Sequence, residues 1–268
     1  MILILALVAS VAAERRRTVL VTGGARGIGA ACCQKFAANG DRVIVHYRSD
    51  AAQAELLRAS LPNQAGADGH ICLHSALDEA GAPEALINAA LAACDNQLDC
   101  VVINHGIYQE YPVETTTANE WSESFARILR TNLAAPAELA FAFGSAVRAR
   151  GGGGSIVFVS SRGAFRGEPL AAAYGASKAG INSLTGSLAQ AFGPHGIRVS
   201  AVAPGFIETE MAAAVLASDR GDGIRNQSPW GRVGTPAEVA AAVLHLASEE
   251  GSWSTGAVLD CNGASYLH

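Results

Sequence analysis

The chain is short of charge. Asp, Glu, Lys and Arg make up 16% of its 268 residues, against roughly 25% in ordinary globular proteins. Disordered chains and coiled coils need more, so both are excluded. It also lacks a cationic surplus. The formal net charge is −5, which leaves nothing to displace the counterions of a phosphate backbone, so no nucleic-acid partner is expected. Aromatic residues are scarce at 6%, although half of the chain is hydrophobic. A sizeable core must therefore be built from Ala, Val, Leu and Ile. Internal repeats are missing, and the one low-complexity stretch, Gly151 to Gly154, reads as a turn. Cysteines stand at 32, 33, 72, 94, 100 and 261, with no CxxC pair among them. Neither a zinc site nor a disulfide framework is suggested, no metal is expected, and the thiols read as buried ones in a reduced, cytoplasmic compartment.

Long apolar runs are also missing. Met1 to Ala13 is almost wholly apolar, but a bilayer span needs about 20 residues. A secretory signal carries its positive charge before the apolar run, and here Arg15, Arg16 and Arg17 follow it. Val11-Ala12-Ala13 still has the small residues of a cleavage site. Residues 1–16 therefore read as an apolar leader, either a non-native start or a targeting or membrane-associating segment. Residues 17–268 read as one domain, since α/β folds of about 250 residues are routinely single.

What is present is alternation. β-Branched apolar runs at 18–22, 42–46, 69–73, 100–104, 155–160, 198–202 and 257–260 predict seven strands. Ala-rich stretches at 28–39, 51–60, 83–94, 120–149, 174–192 and 236–247 predict helices between them. Strands apolar on both faces and joined by helices imply an α/β fold, a Rossmann-type doubly wound parallel sheet covered on both sides. Ligands of such sheets bind beyond the carboxyl ends of the strands.

The first strand runs into Thr22-Gly23-Gly24-Ala25-Arg26-Gly27-Ile28-Gly29 and then a helix. Glycines there let the backbone approach a pyrophosphate, whose charge meets the free N–H groups of the helix start. The second strand ends in His46-Tyr47-Arg48-Ser49, with no carboxylate before Asp50. An acid at that place would hold a ribose 2′-hydroxyl and repel a 2′-phosphate, whereas Arg48 and Arg26 can pair with the phosphate. NADP(H) is expected over NAD(H).

Six motifs then occur in one order: Thr22-Gly23 to Gly27-Ile28-Gly29, Asn104-His105-Gly106, Asn132, Ser160-Ser161, Tyr174-Gly175-Ala176-Ser177-Lys178, and Pro204-Gly205 with Thr209. In these the chain resembles the short-chain dehydrogenase/reductase family from Arg17 to about Gly263. The resemblance implies a catalytic set of Asn132, Ser161, Tyr174 and Lys178. Ser161 is preferred to Ser160 because the family's serine stands thirteen residues before the tyrosine. Tyr174 and Lys178, four apart, share one face of a helix. The ammonium, with an oxidised nicotinamide, is expected to lower the phenol's pKa so that Tyr174 passes a proton to a carbonyl oxygen held by Ser161. Lys178 should also grip the nicotinamide ribose, and Asn132 should hold a water that links Lys178 to solvent. The resemblance further implies that Thr22 anchors the glycine loop and that Asn104 steadies the sheet beside the adenosine. Gly106 belongs to the same motif, and Pro204, Gly205, Ile207 and Thr209 flank the carboxamide.

Some residues depart from the family pattern. His105 stands where Ala is usual. No Asp directly follows the third strand to touch adenine, and Asp78 is displaced. Cys261-Asn262-Gly263 replaces a Gly-Gly pair. Phe206 to about Val233 matches the family's substrate lid, and Ile28, Phe206 and Trp230 suggest an apolar-walled cleft. The segment from Pro229 to Pro236 looks nearest to the bacterial 3-oxoacyl-carrier-protein reductases. That likeness implies NADPH-dependent reduction of a 3-oxoacyl thioester or similar ketone, with an acyl carrier protein as a possible partner. The basic dock such a partner needs is reduced here to Arg148, Arg150 and His195. The alternatives are an NAD(P)-linked sugar, steroid or polyol dehydrogenase, or a non-catalytic nucleotide sensor, which would have no reason to keep all four catalytic residues. Relatives pair through the two long helices and the last strand, so a homotetramer is expected, or failing that a dimer.

Overall fold

The computed structural model describes residues 16–63 and 69–268. The expected leader therefore lies, except for Arg16, outside the described residues.

The strands are β1 (Thr18–Val21), β2 (Arg42–Tyr47), β3 (Ile71–His74), β4 (Cys100–Ile103), β5 (Gly154–Val159), β6 (Ile197–Pro204) and β7 (Val258–Cys261). They form one parallel sheet in the order β3-β2-β1-β4-β5-β6-β7. The order reverses between β1 and β4, which opens the crevice where ligands of such sheets bind.

Period-two alternation sorts the strand side chains into two cores. Val19, Val21, Val43, Val45, Val102 and Val157 face α1 (Gly27–Ala38) and α9 (Pro236–Ala247), against Phe36, Val239 and Val243. Leu20, Ile44, Val101, Ile156 and Phe158 face the other way, against Ile87 of α3 (Ala82–Ala92), Leu139 and Phe143 of α5 (Ala135–Arg150), and Ile181 of α6 (Ala172–Phe192). Each fully buried aliphatic or Phe side chain contributes about 1.5–3 kcal/mol of burial free energy. That is how a core with few aromatics is held.

Helix α2 (Ala51–Ser60) is capped by Asp50, whose carboxylate accepts from Gln53 N at 2.9 Å. The helix expected over 120–149 is longer and broken. Helix α4 (Ala118–Leu129) passes through a π-turn at Arg130–Ala134 into α5. The segment after β6 carries two short helices that the sequence reading does not anticipate, α7 (Glu210–Leu216) and α8 (Gly221–Arg225). Among the described residues no helix is long and apolar enough to cross a membrane. All six cysteines are free, four of them buried and Cys72 and Cys261 half-buried. Burial pushes the Cys32 thiol up to about 12, so it stays protonated and inert.

Candidate active site

The carboxyl ends of the strands open into a cleft of about 930 Å³. One half is built by the glycine loop. Gly23 and Gly27 adopt left-handed φ values of +61° and +50°, which L side chains resist. A Cβ on Gly29 would lie 2.1 Å from the Gly23 carbonyl oxygen, so only glycine lets α1 start this close to the loop. Thr22 is fully buried under the loop. Its hydroxyl accepts from the Asn104 and His105 amides at 3.0 and 3.3 Å. The Asn104 amide donates to the carbonyls of Thr22 and Gly23 at 3.0 and 3.2 Å. Both residues thus anchor the loop to the end of β4, while Gly23, Arg26, Gly27, Ile28, Asn104 and Gly106 line the cleft.

Arg48 stands at the rim, and its guanidinium meets Asp78 at 3.1 Å. The displaced carboxylate therefore sits opposite the arginine. Arg26 pairs with Glu210 at 2.8 Å and with Asp50, which ties the glycine loop to the start of α7. Ser49 is exposed and lies outside the cleft lining.

Two histidines form the floor. The sequence reading passes over His46 as a strand residue. Its Nδ1 accepts from Gly23 N at 3.0 Å, and its Nε2 lies 3.0 Å from the Ser75 carbonyl. An acceptor at Nδ1 puts the proton on Nε2, and burial holds the ring's pKa down at about 4. His105 lies 6.5 Å from it, ring to ring. Its Nδ1 is 2.9 Å from the Thr22 hydroxyl. Burial, with His46 and Lys178 adding to it and the Thr131 backbone opposing, takes its pKa down to about 3.

At the other half, β5 delivers the serines. Ser160 also borders the cleft, but its hydroxyl is engaged in donating to Asn182 at 2.6 Å. Ser161 lines the cleft, and its hydroxyl caps the 3₁₀ turn Arg162–Ala164 by accepting from Gly163 N at 3.0 Å. Tyr174 and Lys178 on the first turns of α6 line the cleft beside it. The Lys178 ammonium lies 5.7 Å from the centre of the Tyr174 ring and donates to the Val159 carbonyl at 2.8 Å. Burial lowers its pKa to about 8. Tyr174 differs from the expectation that its ammonium neighbour lowers it. Burial pushes the phenol up, the hydrogen bond with Ser161 opposes burial, and Glu168 adds to it. Lys178, not Tyr174, is the group drawn toward neutral pH. Tyr108 packs edge-on against Tyr174, with centroids 5.1 Å apart. The reading of the sequence does not single it out.

Asn132 lies in the π-turn, buried and outside the cleft lining. Its amide nitrogen donates to the Ile107 carbonyl and its oxygen accepts from Ile107 N, both at 2.8 Å. A π-turn shifts helical register by one residue and often marks a functional site. Here it aims this amide at the strand-end loop. Pro204, Gly205, Phe206, Ile207 and Thr209 line the cleft from β6 onward. Trp230 does not. It is exposed, carries Arg232 on its face at 5.1 Å, and borders a second, smaller cavity.

A family model described as enoyl-(acyl carrier protein) reductase matches residues 23–263. The chain belongs to the short-chain dehydrogenase/reductase family. It is 35% identical to the 3-oxoacyl-[acyl-carrier-protein] reductase FabG of Salmonella typhimurium, over 94% of this chain and 98% of that protein. It is 34% identical to an acetoacetyl-CoA reductase of Rhizobium meliloti, over 94% and 99%. A short-chain dehydrogenase of Burkholderia cenocepacia, solved in complex with NADP, superposes with a TM-score of 0.81 at 29% identity, covering 93% of this chain and 97% of that one. This family member is an NAD(P)-dependent oxidoreductase. The cradle left by Gly23, Gly27 and Gly29, with a helix start facing it, fits the pyrophosphate of such a dinucleotide.

Proposed function

We propose that this protein reduces a ketone to an alcohol with NADPH, using Tyr174 as the proton donor. The observation that carries the reading is the meeting of Ser161, Tyr174 and buried Lys178 in the same cleft as the glycine cradle. When bound, the dinucleotide supplies the hydride. The residues of the chain do the rest. Ser161 and Tyr174 line the cleft together, and Ser161 is close enough to act on the Tyr174 phenol, so both hydroxyls can address one substrate oxygen. The raised pKa of Tyr174 keeps its proton on at neutral pH, in the form needed to donate to an alkoxide. Lys178 offers the ribose a cation that is already desolvated. Asn132 is a positioning residue that fixes the backbone of Ile107 beside Gly106.

The preference for NADPH rests on Arg48. Its pair with Asp78 is exposed on the arginine side, and exposed pairs contribute only about 0–1 kcal/mol. A 2′-phosphate can therefore take the guanidinium from Asp78 at little cost. Arg26, Ile28, Pro204, Gly205, Ile207 and Thr209 complete the dinucleotide half. The names of the relatives make 3-oxoacyl thioesters one class to assay. A carrier-protein partner has less support, because Arg150 is held by the carbonyls of Asn96 and Gly153.

The test is direct. NADPH should bind at least about tenfold tighter than NADH, equivalent to about 1.4 kcal/mol, and Arg48→Asp should reverse the order. NADPH should be consumed in the presence of one or more of 3-oxoacyl thioesters, oxo acids, quinones, steroids or sugars. Equal affinities would remove the cofactor assignment, and tight binding without turnover of any carbonyl would replace the enzyme by a sensor.

A further inference from the structure

Arg162 follows Ser161 directly and is 3% exposed. A buried guanidinium is costly unless an anion compensates it. Its two hydrogen-bond acceptors are neutral: the Ser265 hydroxyl at 2.6 Å and the Gln227 side-chain carbonyl at 2.5 Å. The face of the guanidinium lies 5.1 Å from the centre of the Phe206 ring. The carboxylate nearest in sequence, Glu168, pairs instead with Arg166 at 3.5 Å and packs over Gly163. Burial accordingly takes the pKa of Arg162 down to about 10, with Arg166 lowering it further and only Glu168 opposing. Arg162 lines the catalytic cleft together with Ser161 and Tyr174, and it also borders the smaller cavity behind Phe206. A positive charge beside the reacting position thus has neutral hydrogen-bond partners, and Glu168, the carboxylate that acts on it from the same cleft, is paired with Arg166.

We propose that Arg162 is a specificity-determining residue that receives the carboxylate of an oxo-acid substrate, so that the ketone reduced here carries its own negative charge. The inference rests on the reductase reading and narrows it, against the neutral ketones and the thioesters. Ser265 and Gln227 hold the fork in place, Phe206 covers one face, and the substrate carboxylate completes the pairing. Charge-assisted pairs of this kind are about twice as strong as neutral hydrogen bonds.

The experiment compares 2-, 3- and 4-oxo acids with their methyl esters, under saturating NADPH, in the wild type and in Arg162→Met, Arg162→Lys and Ser265→Ala. In at least one spacing, the wild-type kcat/KM for the acid should exceed that for its ester by at least about tenfold. Arg162→Met should abolish this preference through the KM of the acid, leaving the ester's constants within about threefold. Arg162→Lys and Ser265→Ala, which both keep the charge, should each retain part of it. Esters reduced as well as acids at every spacing would overturn the proposal, as would an Arg162→Met variant that loses acid and ester activity equally. If Arg162→Met does not fold, the wild-type pairs and Arg162→Lys still decide. Reduction of neutral ketones alone would end this inference and leave the reductase standing. Reduction of no ketone would end both.

Discussion

At the scale of single residues, burial decides which groups stay neutral. His46 joins the glycine loop to the loop after β3 and must be neutral to accept from Gly23 N. Its folded pKa, about 4, lies below the unfolded value of 6.5. The unfolded chain therefore binds the extra proton as pH falls from 6.5 to 4, and stability is lost across that window. His46→Gln, which can accept and donate at the same places, removes this dependence. Between pH 7 and 5 its urea-unfolding free energy should fall by about 2 kcal/mol less than that of the wild type. Equal losses would show that His46 is not the group titrating. His105 adds to the acid loss in both proteins, so the variant keeps some dependence. The histidines also mark a limit of the sequence. Arg48 is legible because a strand end with no acid has a known electrostatic meaning. His46 is not, because its role depends on Gly23 and Ser75, which are 23 and 29 residues distant.

At the scale of elements, the alternation of apolar strands and Ala-rich helices carries nearly the whole architecture. Ser161, Tyr174 and Lys178 meet because β5 and α6 bring a strand end and a helical first turn to one edge, and their spacing is enough to expect that. The π-turn at Arg130–Ala134 is different. Nothing in the hydrophobic period announces one inserted residue, yet it turns Asn132 toward Ile107 rather than toward solvent. Helices α7 and α8 are hidden for another reason. They are 7 and 5 residues long, too short for helical periodicity to register. Their position is set by contacts across the cleft: Arg26 with Glu210, and Arg220 with Glu110 at 3.1 Å. Trp230 belongs to the segment matching the family's substrate lid, yet it lies outside the cleft wall. The chain turns outward before reaching it, at Ser228, whose hydroxyl donates to the Gly263 carbonyl at 2.7 Å.

At the scale of the whole molecule, several large apolar side chains are exposed, among them Phe141 on α5 and Trp253, Leu259 and Leu267 around β7. Large exposed apolar groups in clusters mark association surfaces, and two such surfaces on one chain build a closed dihedral assembly. We propose a homotetramer. Light scattering at micromolar concentration should give a mass near four chains, and a monomer mass would contradict it. The central claim concerns the reaction itself, that one chain holds a dinucleotide by its glycine loop and passes a proton through Tyr174. Tyr174→Phe separates the two roles, because it removes one hydroxyl and keeps the ring that packs against Tyr108. The most direct measurement is turnover of the best ketone found, alongside NADPH binding, in wild type and Tyr174→Phe. Turnover should fall by at least about 10³, a barrier increase of about 4 kcal/mol, with NADPH affinity nearly unchanged. Wild-type turnover in Tyr174→Phe would contradict the account.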